Sequence, residues 1–356
     1  MANSDQIRNI LKSIIVPGQN QNIVELGYVH EIEVKENHII VNIEFPAPQG
    51  KIETEIKELA RDAISSIQGI ANDTKIEIKT AVVVRTNRQQ KSTLPTVKHV
   101  IAIASGKGGV GKSTTAANIA AALSQSGASV GILDADIYGP SIPLMFGLEG
   151  QLNANAENQL VPIKKHGISI VSVGLLNQKK AMIWRGPMVH QMVHAFLTQT
   201  AWGELDYLVI DLPPGTGDAH LTITQTAPIT GAVVVSTPQE VALEDAKKGI
   251  QMFNQVQVPI LGLIETMSYF ICDNCDTHHD IFKTGGTEAL AKQLKINFIS
   301  KIPICKDVVI TGDSGIPVVL SYPESPAALA YKDAALKIAN ALAAKSDQNN
   351  QFSMKW

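Results

Sequence analysis

The hydrophobic and polar positions of the chain fall into two different patterns. Near the start, helical spacing of apolar residues at Asp5–Ile15 and Ile52–Ile67 is mixed with period-two alternation. The alternating and β-branched stretches predict three short strands, at Tyr28–Val34, His38–Phe45 and Lys75–Val84. These elements predict a small α+β domain over residues 1–85.

From Val100 onward the pattern changes to short, continuously apolar runs separated by helical stretches. This is typical of a parallel sheet that is buried on both faces. The runs are Val100–Ala104, Val130–Leu133, Ile168–Val173, Tyr207–Ile210, Gly231–Ser236 and Ile260–Ile264. We predict an α/β domain over residues 99–345, with a mostly parallel sheet flanked by helices and a closing helix at Pro326–Ala344. The polar stretch 86–98 is expected to be a linker, and 346–356 a flexible tail.

The loop after the first apolar run of this second part carries the GxxxxGK[ST] pattern of a P-loop NTPase, between a strand and an alanine-rich helix. Glycines there let backbone N–H groups face a phosphate at a helix N-terminus. Lys112 is then placed to reach the β- and γ-phosphates, and the Ser113 hydroxyl to ligate Mg²⁺. The predicted nucleotide-binding residues are Gly106, Lys107, Gly108, Gly109, Val110, Gly111, Lys112, Ser113 and Thr114.

A dinucleotide-binding loop is the competing interpretation of the same glycines. The GxGxxG spacing is present, and Asp134 follows about 20 residues later. However, a dinucleotide fold has no need for Lys112 followed by a hydroxyl. A second apolar strand also ends in an acid, Asp211, as a Walker B strand does. The two features together favour a nucleoside triphosphatase.

Lys107, early in the loop, points to a pair of facing subunits, since a lysine there suits a charge supplied in trans to a partner's nucleotide. The segment GKGGVGKST resembles the deviant Walker A motif of the ParA/MinD (SIMIBI) ATPases, which dimerise on ATP. Segments 134–141 and 211–218 resemble the two switch segments of that family.

The resemblance implies a role for each acid. Asp136 would orient or activate the attacking water, so that Lys107, Lys112 and Asp136 form the catalytic set. Asp211 would hold Mg²⁺ through water together with Ser113, and Asp134 would support the metal shell. Gly215 would offer its N–H to the γ-phosphate. Two residues after the fifth apolar run are expected beside the base, Pro238 and Gln239.

Cys272 and Cys275 form a CxxC pair, which is half of a four-ligand metal or cluster site. Three explanations are open from the residues alone. The pair is a redox couple, or it binds zinc within one chain with His278 or His279, or two chains pool their pairs around one iron–sulfur cluster.

The segment around the pair is similar to the Mrp (ApbC) family of iron–sulfur cluster carriers. The residues that carry this similarity are Gly262-Leu263-Ile264-Glu265, Met267-Ser268-Tyr269-Phe270 and both cysteines. Trp184-Arg185-Gly186-Pro187-Met188 matches another segment of that family. The first domain resembles the SufT-like domain fused to bacterial members. Three positions depart from the family pattern: Thr266 stands where asparagine is usual near the adenine, and Asp273 and Asp276 replace the proline and glycine of a tight knuckle.

The resemblance implies a homodimeric ATPase with slow turnover, which uses ATP and Mg²⁺. It would hold a 4Fe–4S cluster at the dimer interface, receive it from a scaffold and deliver it to apoproteins. A ParA/MinD-like positioning switch and a zinc-stabilised NTPase are the alternatives.

Composition narrows the partners and the compartment. Lysine and arginine total 30 against 33 acids, so the net charge of −3 shows no basic bias and favours neither nucleic acid nor membrane as a partner. Three cysteines are too few for a disulfide framework and suit a reducing compartment. No secretory leader pattern is present and no apolar run approaches ~20 residues, so we expect a cytoplasmic protein.

Two further features are interpreted as structural. Cys305 is expected to be a small, buried core residue. His190 and His194 are spaced like the HExxH histidines, but Gln191 replaces the glutamate that such a site needs, so they are expected to pack or face solvent.

Overall fold

The computed structural model describes residues 3–17, 21–35, 37–67, 70, 73–84, 93–176, 186–272, 274–275 and 277–353. The chain divides into two compact units, residues 1–85 and 86–356. Most of the predicted linker, Trp184 and Arg185, and the departures Asp273 and Asp276 lie outside the described residues.

The first unit packs two helices on a sheet. An asparagine capping box at Asn3 starts the first helix. The apolar stripes of both helices, including Ile7, Leu11, Ile56 and Ile64, are fully buried. The sheet order is β1-β2-β3, with β1–β2 antiparallel and β2–β3 parallel. In chain order the elements are α1 Ser4–Leu11, β1 Val29–Lys35, β2 His38–Phe45, α2 Lys51–Ser65 and β3 Lys75–Val82.

The second unit is built on a sheet of eight strands among the described residues, in the order β15-β12-β11-β4-β10-β5-β9-β8. All neighbours are parallel except the edge pair β8–β9. The strands of this unit are β4 Val97–Ser105, β5 Val130–Asp134, β6 Asn153–Ala154, β7 Leu160–Val161, β8 Ile163–Lys165, β9 Ile168–Ser172, β10 Leu205–Asp211, β11 Gly231–Ser236, β12 Ile260–Glu265, β13 Phe270–Ile271, β14 His278–His279 and β15 Phe298–Lys301.

Helices cover both faces of this sheet, as continuously apolar strands require. The first helix along this unit, the one after the phosphate loop, is so rich in alanine that it buries nearly its whole length. The helices are α3 Lys112–Gln125, α4 Ile142–Met145, α5 Gly186–Thr198, α6 Asp218–Thr226, α7 Glu240–Gln255, α8 Gly286–Leu294, α9 Lys306–Ser314, α10 Val318–Ser321 and α11 Pro326–Ser353. None of the helices in the described ranges is long and apolar enough to cross a bilayer.

The predicted fold class is confirmed: a mostly parallel α/β unit follows a small α+β unit. Two helix ends were predicted wrongly, and an edge strand was missed. Helix α1 ends at Leu11 rather than Ile15, because the chain then turns so that Ile14 enters the core while Ile15 stays 53% exposed. The edge strand β15 was missed, since it is short and polar at its end. Helix α11 continues to Ser353 and does not end at Ala344.

Candidate functional site

The phosphate loop joins the buried strand β4 to helix α3. Gly109 and Gly111 both have φ of 79°, a left-handed conformation that glycine adopts without steric cost. A Cβ on Gly106 would lie 2.2 Å from the carbonyl carbon of Asp245 in α7, so a side chain cannot fit there. Lys107 is exposed at the outer turn of the loop. The loop is therefore held tightly at its base and presents its glycines to solvent.

Two acids lie beside this loop because β5 and β10 are neighbouring parallel strands that end in register, with Asp134 opposite Asp211. The Lys112 ammonium is buried beside Asp211 and the loop that follows β5. Its Nζ lies 2.7 Å from Asp211 Oδ1 and 3.3 Å from Asp136 Oδ2. Nζ is also 3.2 Å from the Ser113 hydroxyl. The structure thus brings Lys112, Ser113, Asp136 and Asp211 into one cluster.

Asp134 is fully buried and both of its carboxylate oxygens are used within the protein. Oδ1 accepts the Asp136 amide at 3.1 Å. Oδ2 accepts the Ile142 amide at 3.2 Å and the Ser172 hydroxyl at 2.9 Å. These bonds fix the backbone that carries Asp136. Asp134 therefore holds the backbone of Asp136 and Ile142 in place.

Burial, followed by the charge of Asp211, raises the pKa of Asp134 to about 7. The same carboxyl has an ordinary pKa of 3.8, so the folded protein binds this proton more tightly than the unfolded chain. Stability from Asp134 is therefore complete below about pH 4 and is lost as the pH rises through about 7.

For Asp134→Asn we expect a flatter pH profile of stability, because an amide stays neutral. Between about pH 5 and pH 8, the unfolding free energy of the wild type should fall relative to that of the variant. Urea unfolding without nucleotide, followed by circular dichroism, measures this. Parallel profiles for the two proteins would exclude a raised pKa at this carboxyl.

The acid cluster fits a bound Mg²⁺. Carboxylate and hydroxyl oxygens are the ligands that this ion prefers. Among the described residues, Asp211 Oδ2 and Asp136 Oδ1 are both buried without a hydrogen-bond partner, and each suits a water or metal ligand. Burial raises the pKa of Asp211, while the neighbouring Lys112 and Ser113 lower it.

Gly215, in segment 211–218, has φ of 87° and donates its N–H to the Ser105 carbonyl at 2.9 Å. Contact with a γ-phosphate would require this segment to move. Its own carbonyl is hydrogen-bonded to Nδ1 of His220, which is buried and packs edge-on against Phe253. Burial lowers the pKa of His220. Sequence reasoning missed this histidine, since nothing in the sequence connects it with the loop five residues earlier.

An apolar cavity of about 240 Å³ adjoins the end of the phosphate loop. It is lined by Gly111, Thr114, Thr266, Met267, Phe282, Ile302, Pro303, Ile304, Cys305, Val308, Val309 and Tyr331. Pro238 and Gln239, which were expected beside the base, are not among these residues. Pro238 instead packs so close to α8 that a Cβ on Gly286 would lie 2.5 Å from its carbonyl oxygen.

The cysteine pair lies on a small antiparallel hairpin, β13–β14. Cys272 is half-buried at the end of β13, and Cys275 is exposed in the turn. The Cys272 amide donates to the Thr277 carbonyl at 3.0 Å, and Cys275 Sγ lies 3.2 Å from Thr277 Oγ1. Hydrogen bonds from Thr277, and then from Cys272, lower the pKa of Cys275. The pair is thus close together and accessible at its tip.

The two histidines near the pair pack on aromatic rings. His278 stacks on Tyr269 with ring centroids 5.1 Å apart, and His279 lies over Phe270 at 6.3 Å. Within the described ranges, no three His, Cys, Asp or Glu side chains come together as a site for a single metal ion.

Cys305 was interpreted as a buried core residue, and this was wrong. It is only half-buried, at the start of α9. It lines the apolar cavity beside the phosphate loop and also a second cavity, of about 350 Å³, that Cys272 lines. Burial raises the pKa of the Cys305 thiol. The sequence held no signal for this, because the walls of both cavities come from distant segments.

His190 and His194 lie one turn apart on α5, with ring centroids 6.4 Å apart. Thr226 Oγ1 lies 3.3 Å from His190 Nδ1, and Thr198 Oγ1 lies 3.3 Å from His194 Nδ1. Both histidines are exposed on the helix. Their exposure agrees with the expectation that they pack or face solvent.

Comparison with known families identifies the chain. The profile of the NUBPL iron-transfer P-loop NTPases matches residues 96–339, well over half of the chain. The chain belongs to this family. A second family, described as iron-sulfur cluster assembly protein, matches residues 4–78. These matches confirm the resemblance to iron–sulfur carriers with a P-loop NTPase unit.

Relatives cover nearly the whole chain. Proteins named iron-sulfur cluster carrier protein from Deinococcus radiodurans and Escherichia coli are 39% and 43% identical over 345 and 326 residues. The alignments cover 96% and 91% of this chain and 97% and 88% of the relatives. The alignments with these two relatives therefore extend over residues of both units of this chain.

Solved structures resemble the second unit. A nucleotide-binding protein from Archaeoglobus fulgidus in complex with ADP is 45% identical, with a TM-score of 0.56, and covers 62% of this chain and 87% of its own. The septum site-determining protein MinD from Pyrococcus horikoshii, complexed with Mg-ADP, is 22% identical with a TM-score of 0.52, covering 67% and 94%. The second likeness shows the fold alone.

Proposed function

We propose that this chain is an ATP-hydrolysing carrier that holds a 4Fe–4S cluster between two copies of itself and passes it to apoproteins. The observation that most supports this proposal is the accessible cysteine pair. Cys272 and Cys275 lie on a hairpin that leaves the sheet beside the phosphate loop. A 4Fe–4S cluster takes four thiolates. One hairpin offers two, so a second copy would complete the ligand set.

The nucleotide chemistry follows from the cluster of charged groups around Lys112. ATP phosphates would take the ammonium away from Asp211 and Asp136, and the loop N–H groups would bind the phosphate oxygens. Mg²⁺, held by Ser113 and through water by Asp211, would neutralise the charge of the β- and γ-phosphates. Asp136 is then free to orient the attacking water, with Asp134 fixing its backbone.

Lys107 supports the dimer, because it is exposed on the outer turn of the loop and so is accessible to a facing copy. In a face-to-face pair it would reach the nucleotide of the other copy. Hydrolysis would then be slow and limited by the dimer's conformational change. A cluster scaffold and recipient apoproteins are the partners in this proposal, with residues 1–85 as the part that docks or orients them and 86–98 as the linker.

The base would occupy the apolar cavity that begins at Gly111 and Thr114. A flat aromatic ring suits its lining of Ile302, Val309 and Tyr331. Thr266, at the usual asparagine position, also lines it. This location replaces the expected one beside Pro238 and Gln239.

The cavity assignment predicts that nucleotide protects the thiol of Cys305. In a Cys272→Ser/Cys275→Ser protein, saturating Mg-ADP should slow iodoacetamide alkylation of Cys305 several-fold, because the base would fill one of the two cavities that the thiol lines. Peptide mass spectrometry measures the rate. An unchanged rate at saturation would place the base elsewhere.

Metal analysis after anaerobic reconstitution tests the proposal against its zinc alternative. The carrier should contain iron and acid-labile sulfide in equal amounts and absorb at about 400 nm, as iron–thiolate clusters do. A colourless protein with one zinc per chain would favour the zinc-stabilised NTPase. A protein with neither metal would favour a positioning switch.

A further inference from the structure

The cysteine hairpin is joined to the phosphate loop by one buried hydroxyl. Thr266 immediately follows strand β12 and is only 4% exposed. Its Oγ1 lies 2.6 Å from the Val110 carbonyl oxygen and 3.2 Å from that of Ser236. A hydroxyl has a single proton to donate, so the shorter contact, to Val110, is the principal hydrogen bond.

The position of Val110 in the loop gives this bond its significance. The carbonyl of Val110 and the N–H of Gly111 belong to one planar peptide unit. A phosphate that accepts the Gly111 N–H fixes the orientation of that unit, and with it the direction of the Val110 carbonyl. Thr266 is therefore bonded to the carbonyl side of a peptide unit whose N–H side would face the nucleotide.

Glu265, which precedes Thr266, is hydrogen-bonded to residues at both ends of the cysteine-bearing segment. Its side chain is fully buried. Oε1 accepts the Ser268 hydroxyl at 2.5 Å and the Gly285 amide at 2.8 Å. Oε2 accepts the Thr287 amide at 2.7 Å. Since Ser268 precedes the cysteines and Gly285 follows them, a shift at the end of β12 reaches both ends of the segment.

We propose that Thr266 is a positioning residue that couples the Val110–Gly111 peptide to the cysteine hairpin, with Glu265 as its anchor. The route runs through the end of β12 and does not need the switch segments. This inference rests on the proposed carrier function. Its consequence is that nucleotide binding changes how firmly Cys272 and Cys275 hold the cargo.

Hydrogen–deuterium exchange on the full-length protein without cargo tests the coupling directly. Saturating Mg-ADP, with saturation established by titration for each protein, should change amide exchange at Gly285 and Thr287, whose N–H groups donate to Glu265, about 3- to 10-fold in the wild type, the range that one hydrogen bond supplies. Thr266→Val keeps the side-chain size but loses the hydroxyl, and it should show no change. Thr266→Ser keeps the hydroxyl and should respond as the wild type does.

A wild-type response in Thr266→Val at saturation, or no response in the wild type, overturns the coupling. A second measurement uses reconstituted protein and the rate of iron loss to a ferrous chelator. In the wild type and in Thr266→Ser, nucleotide should change this rate. In Thr266→Val the rates with and without nucleotide should be equal, which is a ratio of about 1. Wild type that takes up no iron or sulfide overturns the carrier function itself, whereas a loaded Thr266→Val with the wild-type ratio overturns only the coupling.

Discussion

Lys112→Ala is expected to weaken nucleotide binding roughly 10- to 150-fold, the loss of about 1.5–3 kcal/mol that a charge-assisted hydrogen bond supplies. Hydrolysis should fall to background, because this ammonium is the buried charge placed beside Asp211 and Asp136. Isothermal titration with ADP and a phosphate-release assay measure the two effects. Cluster binding should survive.

Lys107→Ala is the matched control, since it removes a lysine from the same loop at an exposed position. As a monomer, Lys107→Ala should bind nucleotide with the wild-type affinity. It should lose the hydrolysis that depends on a facing copy. Thermal unfolding checks that Lys112→Ala stays folded, as it leaves two buried carboxylates without their cation. Normal hydrolysis by folded Lys112→Ala would contradict the phosphate-loop assignment.

Cys272→Ser is expected to reduce iron and sulfide to background after anaerobic reconstitution, because the hairpin then offers one thiolate per chain. Nucleotide affinity should stay at the wild-type value, since neither Cys272 nor Cys275 lines the cavity beside the loop. Iron, sulfide and zinc are each measured per chain, with the absorption spectrum taken under argon.

His278→Ala/His279→Ala provides the matched control for the zinc alternative. Both imidazoles lie on aromatic rings of the same hairpin. A cluster held by four thiolates should keep its iron and sulfide in this variant. Loss of bound metal from the histidine variant, with zinc in the wild type, would establish a single-chain zinc site instead.

The local parts of the site were predictable from the sequence. The phosphate loop is one continuous segment, so the spacing of its glycines and Lys112 alone predicts phosphate binding. Asp134 and Asp211 end apolar runs, and parallel strands bring such ends to one edge of a sheet. The fold class followed from the same runs.

Parts of the site that depend on tertiary contacts could not be predicted. The cavity beside the loop draws its walls from residue 111 to residue 331. Cys305 was wrongly interpreted as a core residue for this reason, since distant segments form the cavities that it lines. The three hydrogen bonds of Glu265 reach up to 22 residues along the chain, and no periodicity encodes such partners. The helical backbone up to Ser353 was missed because polar composition predicted an early end.

The most direct test of the account is native mass spectrometry of the reconstituted wild type, kept free of oxygen. The account predicts a dimer that carries the mass of one 4Fe–4S cluster, and a Cys272→Ser protein that lacks this mass. A cluster found on the monomer, or a dimer that carries only zinc, would contradict it.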